Sequence, residues 1–489
     1  MPLRPPRVFE SSFYRSPMSA QLDIRFGTDG WRAIIGDDYT FNNVAACAAA
    51  VAMDVQVTDQ AHRGVAVGYD TRFQSRQFAE TAAEVIGSRG IPALLSDRPL
   101  PTPALSYAVT THDAACGVMI TASHNPPEWN GFKVKSDAGG SAPPDQVERI
   151  ENRLPSVSFD QVRSARAVKP EIHDIDMVSP YLVKLSSLVN IDRIKAAGIR
   201  IAVDSMHGSG AGIVETLLTG GTTTVHEIRS DINPAFPGMK QPEPVEDNLG
   251  PLIARIDDSG FDVGVATDGD ADRLGVVAEN GSYLTTLEVF SMLFHHLKSR
   301  RNLPGGAACT ITMSSMMDCL AEHHGVDLYR TPVGFKFVGP AMLDNGCVLG
   351  GEESGGYAFA GHVPERDGPL SALFFLESMA MSGKSPTELL AEIHEIAGPH
   401  SYRRIDVEFT DDESDRIAVA VNGDAPTSLG GVDVVNEDRR DGVRLDLRDG
   451  SWAVVRMSGT EPLLRIYAEA SSADQRDAVL SDFRAHLGV

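Results

Sequence analysis

The sequence predicts an α/β protein with three similar α/β units followed by one smaller α+β domain. Four apolar runs punctuated by glycine each end in a polar loop, and we expect a helix after each loop, as in βα units of largely parallel sheets. The runs lie at 64–69, 199–203, 261–266 and 347–350. After His400, segments such as 404–409 and 452–456 alternate apolar and polar residues, which is typical of half-buried antiparallel strands.

The order of elements is clearest near the start of the chain. A strand is predicted at 64–69, a helix from Ser75 to Arg89 and a second strand at 91–95. A chain of 489 residues is too long for one ordinary core. We place breaks in the polar stretch 154–170, near 280–281 and at 397–399. The predicted division is a disordered extension at 1–20, with Met18 as an alternative start, and domains at 21–165, 166–280, 281–398 and 399–489.

Composition excludes several classes of function. A formal charge of −24 disfavours nucleic acid and anionic membranes as partners, because phosphate surfaces select basic proteins. The five cysteines are scattered without a Cys-x-x-Cys pair, which argues against a disulfide framework or a zinc site and for a reducing compartment. Neither an apolar run of membrane-spanning length nor an N-terminal signal segment is present. We therefore expect a cytoplasmic protein.

A polar loop at 121–126, Thr-Ala-Ser-His-Asn-Pro, follows the apolar run 116–120. In α/β proteins, loops at the carboxyl ends of strands bind ligands. Ser123 is therefore a candidate nucleophile or phosphate carrier, with His124 beside it. These residues alone do not identify a catalytic site.

Three aspartates at 268, 270 and 272 alternate with small residues at the end of a predicted strand. Small spacers allow a loop to bring three carboxylates together, and their repulsion then calls for a cation. Oxygen ligands suit a hard ion, and the positions left open for a phosphate oxygen favour Mg²⁺. An EF-hand loop is set aside as an alternative, and a solvated acidic turn is disfavoured by the apolar strand.

Other loops carry groups suited to anions or sugars. The segment 456–462, Arg-Met-Ser-Gly-Thr-Glu-Pro, could hold a phosphate monoester, and the glycine-rich 351–356 offers carboxylates to sugar hydroxyls. Lys133 is one of nine lysines, and a desolvated lysine near a metal can have a lowered pKa and act as a base. Loops at 27–32 and 331–336 add Arg32 and Lys336. The alternatives are ordinary turns for 27–32, 351–356 and 456–462, a surface lysine for Lys133 and a helix start for 331–336.

Together, four of these loops resemble the signature loops of the α-D-phosphohexomutases. The loops are 121–126, 268–273, 351–355 and 456–462, in the family's order and one per domain. The resemblance extends from about Arg25 to the C-terminus. It implies four domains around one central cleft, the first three with a mixed α/β core and the fourth a smaller, mobile α+β lid.

The resemblance also implies roles for individual residues. Ser123 would be the phosphoserine and would complete the shell of one Mg²⁺ held by Asp268, Asp270 and Asp272. Lys133 would be the general base or acid, and Arg32 and His124 would surround the reacting phosphoryl group. The implied substrate-binding residues are Arg273, Lys336, Glu352, Ser354, Arg456, Ser458, Gly459 and Thr460, of which Glu352 and Ser354 would bind sugar hydroxyls and the last four the non-reacting phosphate.

The implied reaction is the interconversion of hexose 1-phosphate and hexose 6-phosphate, with glucose preferred. It would pass through a phosphoserine and a hexose 1,6-bisphosphate, and glucose 1,6-bisphosphate would be the activator. The expected partners are small sugar phosphates and neither nucleic acid nor membrane, with the chain a monomer or a homodimer. Glu-Glu-Ser at 352–354 looks more like the glucose-type enzymes than the phosphoglucosamine branch, which tends to carry glutamine there. Mannose or dual activity, a phosphoglucosamine mutase, a metal-dependent phosphatase and a non-catalytic paralogue are the alternatives.

Overall fold

The computed structural model describes residues 24–27, 29–158, 169–457 and 463–489. The predicted extension at 1–20 and the alternative start at Met18 lie outside these residues. The first domain contains a six-stranded sheet of order β1-β5-β4-β2-β3-β6. Its strands are β1 (Trp31–Ile34), β2 (Val65–Tyr69), β3 (Ala93–Ser96), β4 (Cys116–Ile120), β5 (Trp129–Lys135) and β6 (Ile172–Ile175). Its helices are α1 (Phe41–Val57), α2 (Ser75–Gly87), α3 (Thr102–Thr111) and α4 (Pro144–Glu151).

The strands at the centre of this sheet are parallel, and the edge near β1 is antiparallel. β2 pairs in parallel with both β3 and β4, whereas β5 is antiparallel to both β4 and β1. Every residue of β2 and β4 is buried, as expected for parallel strands covered on both faces. β6 pairs with β3 in this sheet, although its residues fall within 166–280, the range predicted for the second domain. The division of the chain into four ranges stays a prediction.

The second domain contains a five-stranded sheet of order β11-β10-β9-β7-β8. Its strands are β7 (Arg200–Asp204), β8 (Thr224–Ile228), β9 (Val263–Thr267), β10 (Leu274–Ala278) and β11 (Tyr283–Leu284). Its helices are α5 (Val178–Leu188), α6 (Ile191–Ala196), α7 (Ile213–Leu218) and α8 (Gly250–Ser259). β7 is parallel to β8 and β9, and β10 is antiparallel to β9.

The third domain contains a four-stranded sheet of order β13-β12-β14-β15. Its strands are β12 (Ala307–Thr310), β13 (Leu328–Thr331), β14 (Leu349–Gly351) and β15 (Tyr357–Phe359). Its helices are α9 (Thr286–His295), α10 (Met316–His324), α11 (Phe335–Asp344), α12 (Gly368–Ser382) and α13 (Pro386–Ala397). Helix α9 begins at a capping box, in which the side chain of Thr285 and that of Glu288 each bond the other's backbone N–H; this satisfies donors that a helix start leaves open.

The fourth domain is a six-stranded antiparallel sheet of order β16-β21-β20-β19-β18-β17 with two helices. Its strands are β16 (Ser401–Glu408), β17 (Ser428–Leu429), β18 (Val432–Asp438), β19 (Val443–Leu447), β20 (Trp452–Met457) and β21 (Leu463–Ala470). Its helices are α14 (Asp411–Asn422) and α15 (Ala473–Leu487). The fold class, three α/β units and one smaller α+β domain, is confirmed.

The expectation of a helix after each polar loop is wrong for two of the four apolar runs. The loops after 64–69 and 199–203 lead into helices α2 and α7 as expected. Those after 261–266 and 347–350 lead into antiparallel strands, β9 into β10 and β14 into β15, and the loop after β4 likewise leads into antiparallel β5. The return segments 274–278 and 357–359 are short and fully buried, too short for a helix and apolar enough to extend a sheet. An antiparallel strand return therefore follows a candidate loop in each of the first three domains.

Buried apolar clusters set the relation between the domains, and one of them joins Ile311 of the third domain to Trp452 of the fourth. One buried cluster includes residues of all of the first three domains, among them Leu105, Val265 and Phe290, whereas the fourth domain packs its sheet and helices around a separate cluster. The first three domains thus share a continuous core. Among the described residues, no helix is both long and apolar enough to span a membrane.

Candidate active site

Ser123 lies at the turn between β4 and β5, next to the loop that follows β9. Its side-chain hydroxyl donates a hydrogen bond to Oδ2 of Asp268 at 2.8 Å and lies 3.3 Å from Nδ1 of His124. Its backbone φ is +52° and the residue is buried. A non-glycine residue in this conformation carries strain that the surrounding structure must hold.

Arg72, which the sequence analysis missed, holds the strained turn in place. Its guanidinium donates hydrogen bonds to the carbonyl oxygens of Ser123 and Asn125 (both 2.6 Å), Pro126 (2.8 Å) and Trp129 (3.1 Å). The side chain is fully buried. The signal available in the sequence was its position, three residues after the end of the strand predicted at 64–69.

The three aspartates form one buried cluster in which at least one carboxylate oxygen of each lies within 4.8 Å of the others. Burial and the two neighbouring carboxylates raise the pKa of Asp268 well above its usual value. Oδ1 of Asp270 and Oδ1 of Asp272 are buried and accept no hydrogen bond from the described residues. Buried oxygens without donors in an all-carboxylate set fit a hard divalent cation.

The spacing of these aspartates depends on a small residue at 269. A Cβ at Gly269 would lie 2.5 Å from the carbonyl oxygen of Ser123, so the serine turn and the aspartate loop approach too closely for a larger residue. Thr102, at the start of α3, adds a second link: its backbone N–H and hydroxyl donate to the carbonyl oxygen and Oδ2 of Asp270 at 2.9 and 2.7 Å. The first and second domains therefore meet at the cluster.

Lys133, on β5, is fully buried between carboxylates. Its Nζ lies 2.9 Å from Oδ2 of Asp270, 2.9 Å from Oδ2 of Asp29 and 3.5 Å from Oδ2 of Asp272. Burial would lower the pKa of Lys133, but these three carboxylates outweigh it and raise the pKa above the usual lysine value. The expectation of a lowered pKa is wrong, because desolvation was weighed without the charges that the fold brings against the ammonium group.

Arg366 brings the third domain to the same cluster. One of its terminal nitrogens lies 2.6 Å from Oδ2 of Asp29 and 2.8 Å from Oδ2 of Asp272, and the other lies 3.6 Å from Oε2 of Glu352. Burial would lower the pKa of Arg366, but the surrounding carboxylates raise it well above the usual value. The sequence analysis missed this residue, whose signal was an arginine in the polar loop directly before α12.

Arg32 and His124 lie beside the serine turn, and their place around a reacting phosphoryl group stays a prediction. Arg32 Nη1 donates to Oδ1 of Asn125 at 2.5 Å. Burial lowers the pKa of His124 well below its usual value, and the positive charges of Arg273, Arg32, Lys133 and Arg72 lower it further. The imidazole is therefore neutral at physiological pH.

Arg273 follows the third aspartate and is held by a carboxylate from its own domain. Its Nη1 donates to Oε1 of Glu243 at 2.8 Å, and its Nε lies 3.9 Å from Oδ1 of Asp272. Glu243 is a further residue that the sequence analysis missed. The guanidinium thus faces the open oxygen of a candidate metal ligand.

The glycine-rich loop between β14 and β15 presents Glu352 and Ser354. Oε1 of the buried Glu352 accepts a hydrogen bond from the backbone N–H of Gly334 at 3.0 Å, and burial raises its pKa. Ser354 is half-buried. Lys336, at the start of α11, is half-buried with its Nζ 5.3 Å from the centre of the Phe337 ring.

The fourth candidate loop begins at the end of β20. Nε of Arg456 lies 3.4 Å from Oδ2 of Asp441, another residue that the sequence analysis missed. Ser458, Gly459 and Thr460 lie outside the described residues, and their part in phosphate binding stays a prediction.

Comparison with known proteins places this geometry in one family. Models described as phosphoglucomutase/phosphomannomutase alpha/beta/alpha domains I, II and III match residues 23–161, 179–281 and 288–396, and the model of the C-terminal domain matches 406–486. The chain belongs to the phosphoglucomutase/phosphomannomutase family. It is therefore a phosphohexomutase, an isomerase of the α-D-phosphohexomutase superfamily.

Individual members of the family carry different substrate names. The chain is 30% identical over 450 residues to the phosphoglucomutase/phosphomannomutase of Thermococcus kodakarensis, covering 92% of this chain and 95% of the relative. It is 28% identical over 452 residues to the phosphoglucosamine mutase of Salinispora arenicola, covering 91% and 94%. The crystal structure of a Thermus thermophilus protein matches with 33% identity and a TM-score of 0.84, covering 96% of this chain and 100% of that one.

Proposed function

We propose that the chain converts glucose 1-phosphate to glucose 6-phosphate through phosphorylated Ser123 and glucose 1,6-bisphosphate. The observation that carries the proposal is the contact at 2.8 Å between the Ser123 hydroxyl and Asp268, inside a cluster of three buried carboxylates. A hydroxyl in this position can carry a phosphoryl group beside a cation, and arginines surround it. Positioning and charge neutralisation are the main needs of phosphoryl transfer.

Asp268, Asp270 and Asp272, with Ser123, are the residues that would hold one Mg²⁺. When bound, the ion would supply positive charge at the phosphoryl group during transfer. The two Oδ1 atoms without donors support this assignment. Arg32 and Arg273 would hold the oxygens of the same phosphoryl group.

The phosphoryl group is exchanged between two oxygen atoms, that of a sugar hydroxyl and Oγ of Ser123. A sugar hydroxyl loses its proton and forms a bond to phosphorus, while the bond from phosphorus to Ser123 Oγ breaks and Oγ regains a proton. We assign the proton movement to Lys133, which its raised pKa keeps as an ammonium: it would give a proton to Oγ as that bond breaks and take the proton of the sugar hydroxyl as the new bond forms. The bisphosphate then turns, and the second phosphoryl group returns to Ser123 by the reverse exchange.

Substrate orientation would come from the two remaining loops. Glu352 and Ser354 would accept hydrogen bonds from sugar hydroxyls, and Arg456 with Ser458, Gly459 and Thr460 would hold the phosphate that does not react. Lys336 would add positive charge to the cleft. We place glucose first because of Glu-Glu-Ser at 352–354; mannose and glucosamine phosphates are the alternatives, as the names of relatives include all three sugars.

The test combines mass and activity measurements on the full chain. We expect intact-mass and peptide analysis to find one phosphate on Ser123, and a coupled assay to find glucose 6-phosphate formed from glucose 1-phosphate with stimulation by glucose 1,6-bisphosphate. Ser123→Ala should lower kcat by at least about 10³-fold, and the exposed Ser156→Ala should not. Full activity in Ser123→Ala would overturn the mechanism, and inorganic phosphate as the main product would favour a phosphatase. Values of kcat/KM for glucose, mannose and glucosamine 1-phosphates rank the sugars.

A further inference from the structure

The side chain of Glu353 faces the fourth domain, although the residue lies in the sugar-binding loop between Glu352 and Ser354. Its Oε1 accepts a hydrogen bond from the Tyr402 hydroxyl at 2.6 Å and lies 3.6 Å from Nη1 of Arg404. Both partners are on β16. The sugar loop is therefore in direct contact with the domain that carries Arg456.

The charge state of this contact supports an ion pair. The negative charge of Glu353 is the largest influence on Arg404 and raises the pKa of its guanidinium. Burial raises the pKa of Tyr402 well above its usual value, and the same carboxylate raises it further. The phenol thus stays protonated and donates, while the carboxylate accepts from one side and faces a cation on the other.

A second connection joins the sugar loop to Arg456. Glu352 accepts from the N–H of Gly334, and the neighbouring N–H of Val333 donates to Oδ2 of Asp441 at 2.8 Å. That same oxygen lies 3.4 Å from Nε of Arg456. Three consecutive contacts therefore link Glu352, which we propose binds a sugar hydroxyl, to Arg456, which we propose binds the phosphate.

We propose that Glu353, Tyr402, Arg404 and Asp441 are positioning residues that hold the fourth domain against the sugar loop while the bisphosphorylated sugar stays in the cleft. The inference rests on the proposed function, because it concerns retention of that intermediate. We call these four residues the domain latch. They set the distance between Glu352 and Arg456 and make no contact with the substrate themselves.

Other contacts between the third and fourth domains differ in position. Glu469 accepts from the hydroxyl of Ser315 at 2.6 Å and from the indole N–H of Trp452 at 2.9 Å. Ser315 precedes α10 and is not part of the sugar loop. This contact holds the same two domains together without connecting to Glu352, and it provides a matched control.

The strength of the latch suits its role. The Arg404 side chain is 34% exposed and that of Glu353 is 14% exposed, and a partly exposed polar contact contributes little net free energy. Such a contact can open and re-form within one catalytic cycle. The intermediate needs this freedom, because it must turn without leaving the cleft.

The experiment compares Tyr402→Phe and Glu353→Gln with Ser315→Ala in the full chain. Tyr402→Phe keeps the ring beside Trp452 and removes only the hydroxyl; Glu353→Gln keeps an acceptor and removes the charge facing Arg404. The measurements are glucose 1,6-bisphosphate released per turnover, by ³¹P NMR and chromatography, the dependence of rate on added bisphosphate, and the single-turnover rate of transfer from phosphorylated Ser123.

We expect each latch variant to release about three- to tenfold more bisphosphate per turnover, the range for one lost hydrogen bond or ion pair. The activity of the latch variants should then depend more strongly on added bisphosphate than that of the unchanged protein, while the single-turnover rate stays within about twofold of the unchanged value. Ser315→Ala should release no more than the unchanged protein. Equal release by all three variants, or no increase in the latch variants, would overturn the proposal. An unchanged protein without mutase activity would instead overturn the proposed function.

Discussion

The two ends of the proposed substrate cleft are built differently. At the reaction end, Lys133 is fully buried among three carboxylates and Arg366 reaches two of the same carboxylates from the third domain. At the proposed phosphate end, Arg456 is 12% exposed and its Nε lies 3.4 Å from Oδ2 of Asp441. The fourth domain also has its own apolar core.

This difference matches the two demands of the proposed cycle. Ser123 must occupy the same position when it gives a phosphoryl group and when it takes one back, so a network of buried ion pairs is suited to hold it. The other end must release one phosphate and bind the second after the intermediate turns. Rigid contacts at the reaction end and adjustable contacts at the phosphate end are therefore complementary. Variants at the two ends should change different kinetic constants.

The largest effect is expected at the reaction end from Asp270→Asn. The change keeps the size of the side chain but removes a charge from the cluster and from Lys133, so kcat should fall by about 10²- to 10³-fold. The stabilisation of the protein by MgCl₂ should be lost as well, because an ion that binds only the folded state raises the melting temperature. Kinetics and thermal unfolding with and without Mg²⁺ measure both.

Asp145→Asn, which changes an exposed carboxylate, is the control and should alter neither quantity. Normal kcat together with normal Mg²⁺ stabilisation in Asp270→Asn would mean that the carboxylate cluster is not the metal site.

Arg366→Leu tests whether the reaction end depends on a residue from the third domain. Its loss leaves Asp29 and Asp272 buried with fewer positive partners, so the free energy of unfolding should fall by about 3–5 kcal/mol and kcat by about 10- to 100-fold. Arg366→Lys should restore part of the stability and less of the activity, because one ammonium cannot reproduce the two-armed geometry. Urea unfolding and steady-state kinetics measure these effects, with the exposed Arg98→Leu as control. If Arg366→Leu lowered the free energy of unfolding but left kcat unchanged, the arginine would stabilise the fold without influencing the reaction.

The sequence was sufficient for the elements whose local pattern decides their structure. The helix predicted from Ser75 to Arg89 is observed as α2, and the strand predicted at 64–69 is observed as β2. Alternation of apolar and polar residues also identified the antiparallel fourth domain. In these segments local periodicity and tertiary burial agree, which is why the prediction works.

The return strands and the partner charges could not be predicted in the same way. β10 and β15 are short apolar segments, and such segments do not reveal whether they run parallel or antiparallel. Arg72, Glu243 and Arg366 are single charged residues in loops, and only the packing of three domains decides which groups they meet. The candidate loops were found because their residue types carry chemistry. The residues that hold those loops carry only a weak local signal, a charged residue near the end of a strand or the start of a helix.

At the phosphate end, Arg456→Gln should raise KM for glucose 1-phosphate by about tenfold and change kcat less. An arginine bound to a phosphate that does not react stabilises the bound substrate and the transition state alike. Steady-state kinetics give both constants, and the exposed Arg448→Gln is the control. A loss confined to kcat would mean that Arg456 acts on the reacting phosphoryl group, and the two ends of the cleft would not be distinct.

The smallest expected effect concerns the stability of the protein at a residue away from the proposed substrate cleft. Burial and the neighbouring His324 lower the pKa of His295, at the end of α9, to about 4. The unfolded chain binds a proton at this residue near pH 6.5, so between pH 6.5 and 4 the unfolded state holds more protons and the folded state loses stability as pH falls. Allowing for partial exposure, the loss is about 1–2 kcal/mol. His295→Gln should flatten the pH dependence of urea unfolding between pH 7.5 and 5.0 by part of this amount, and the exposed His173→Gln should not. If His295→Gln also changed KM or kcat at pH 7.5, the third domain would influence the cleft by a route other than the sugar loop and Arg366.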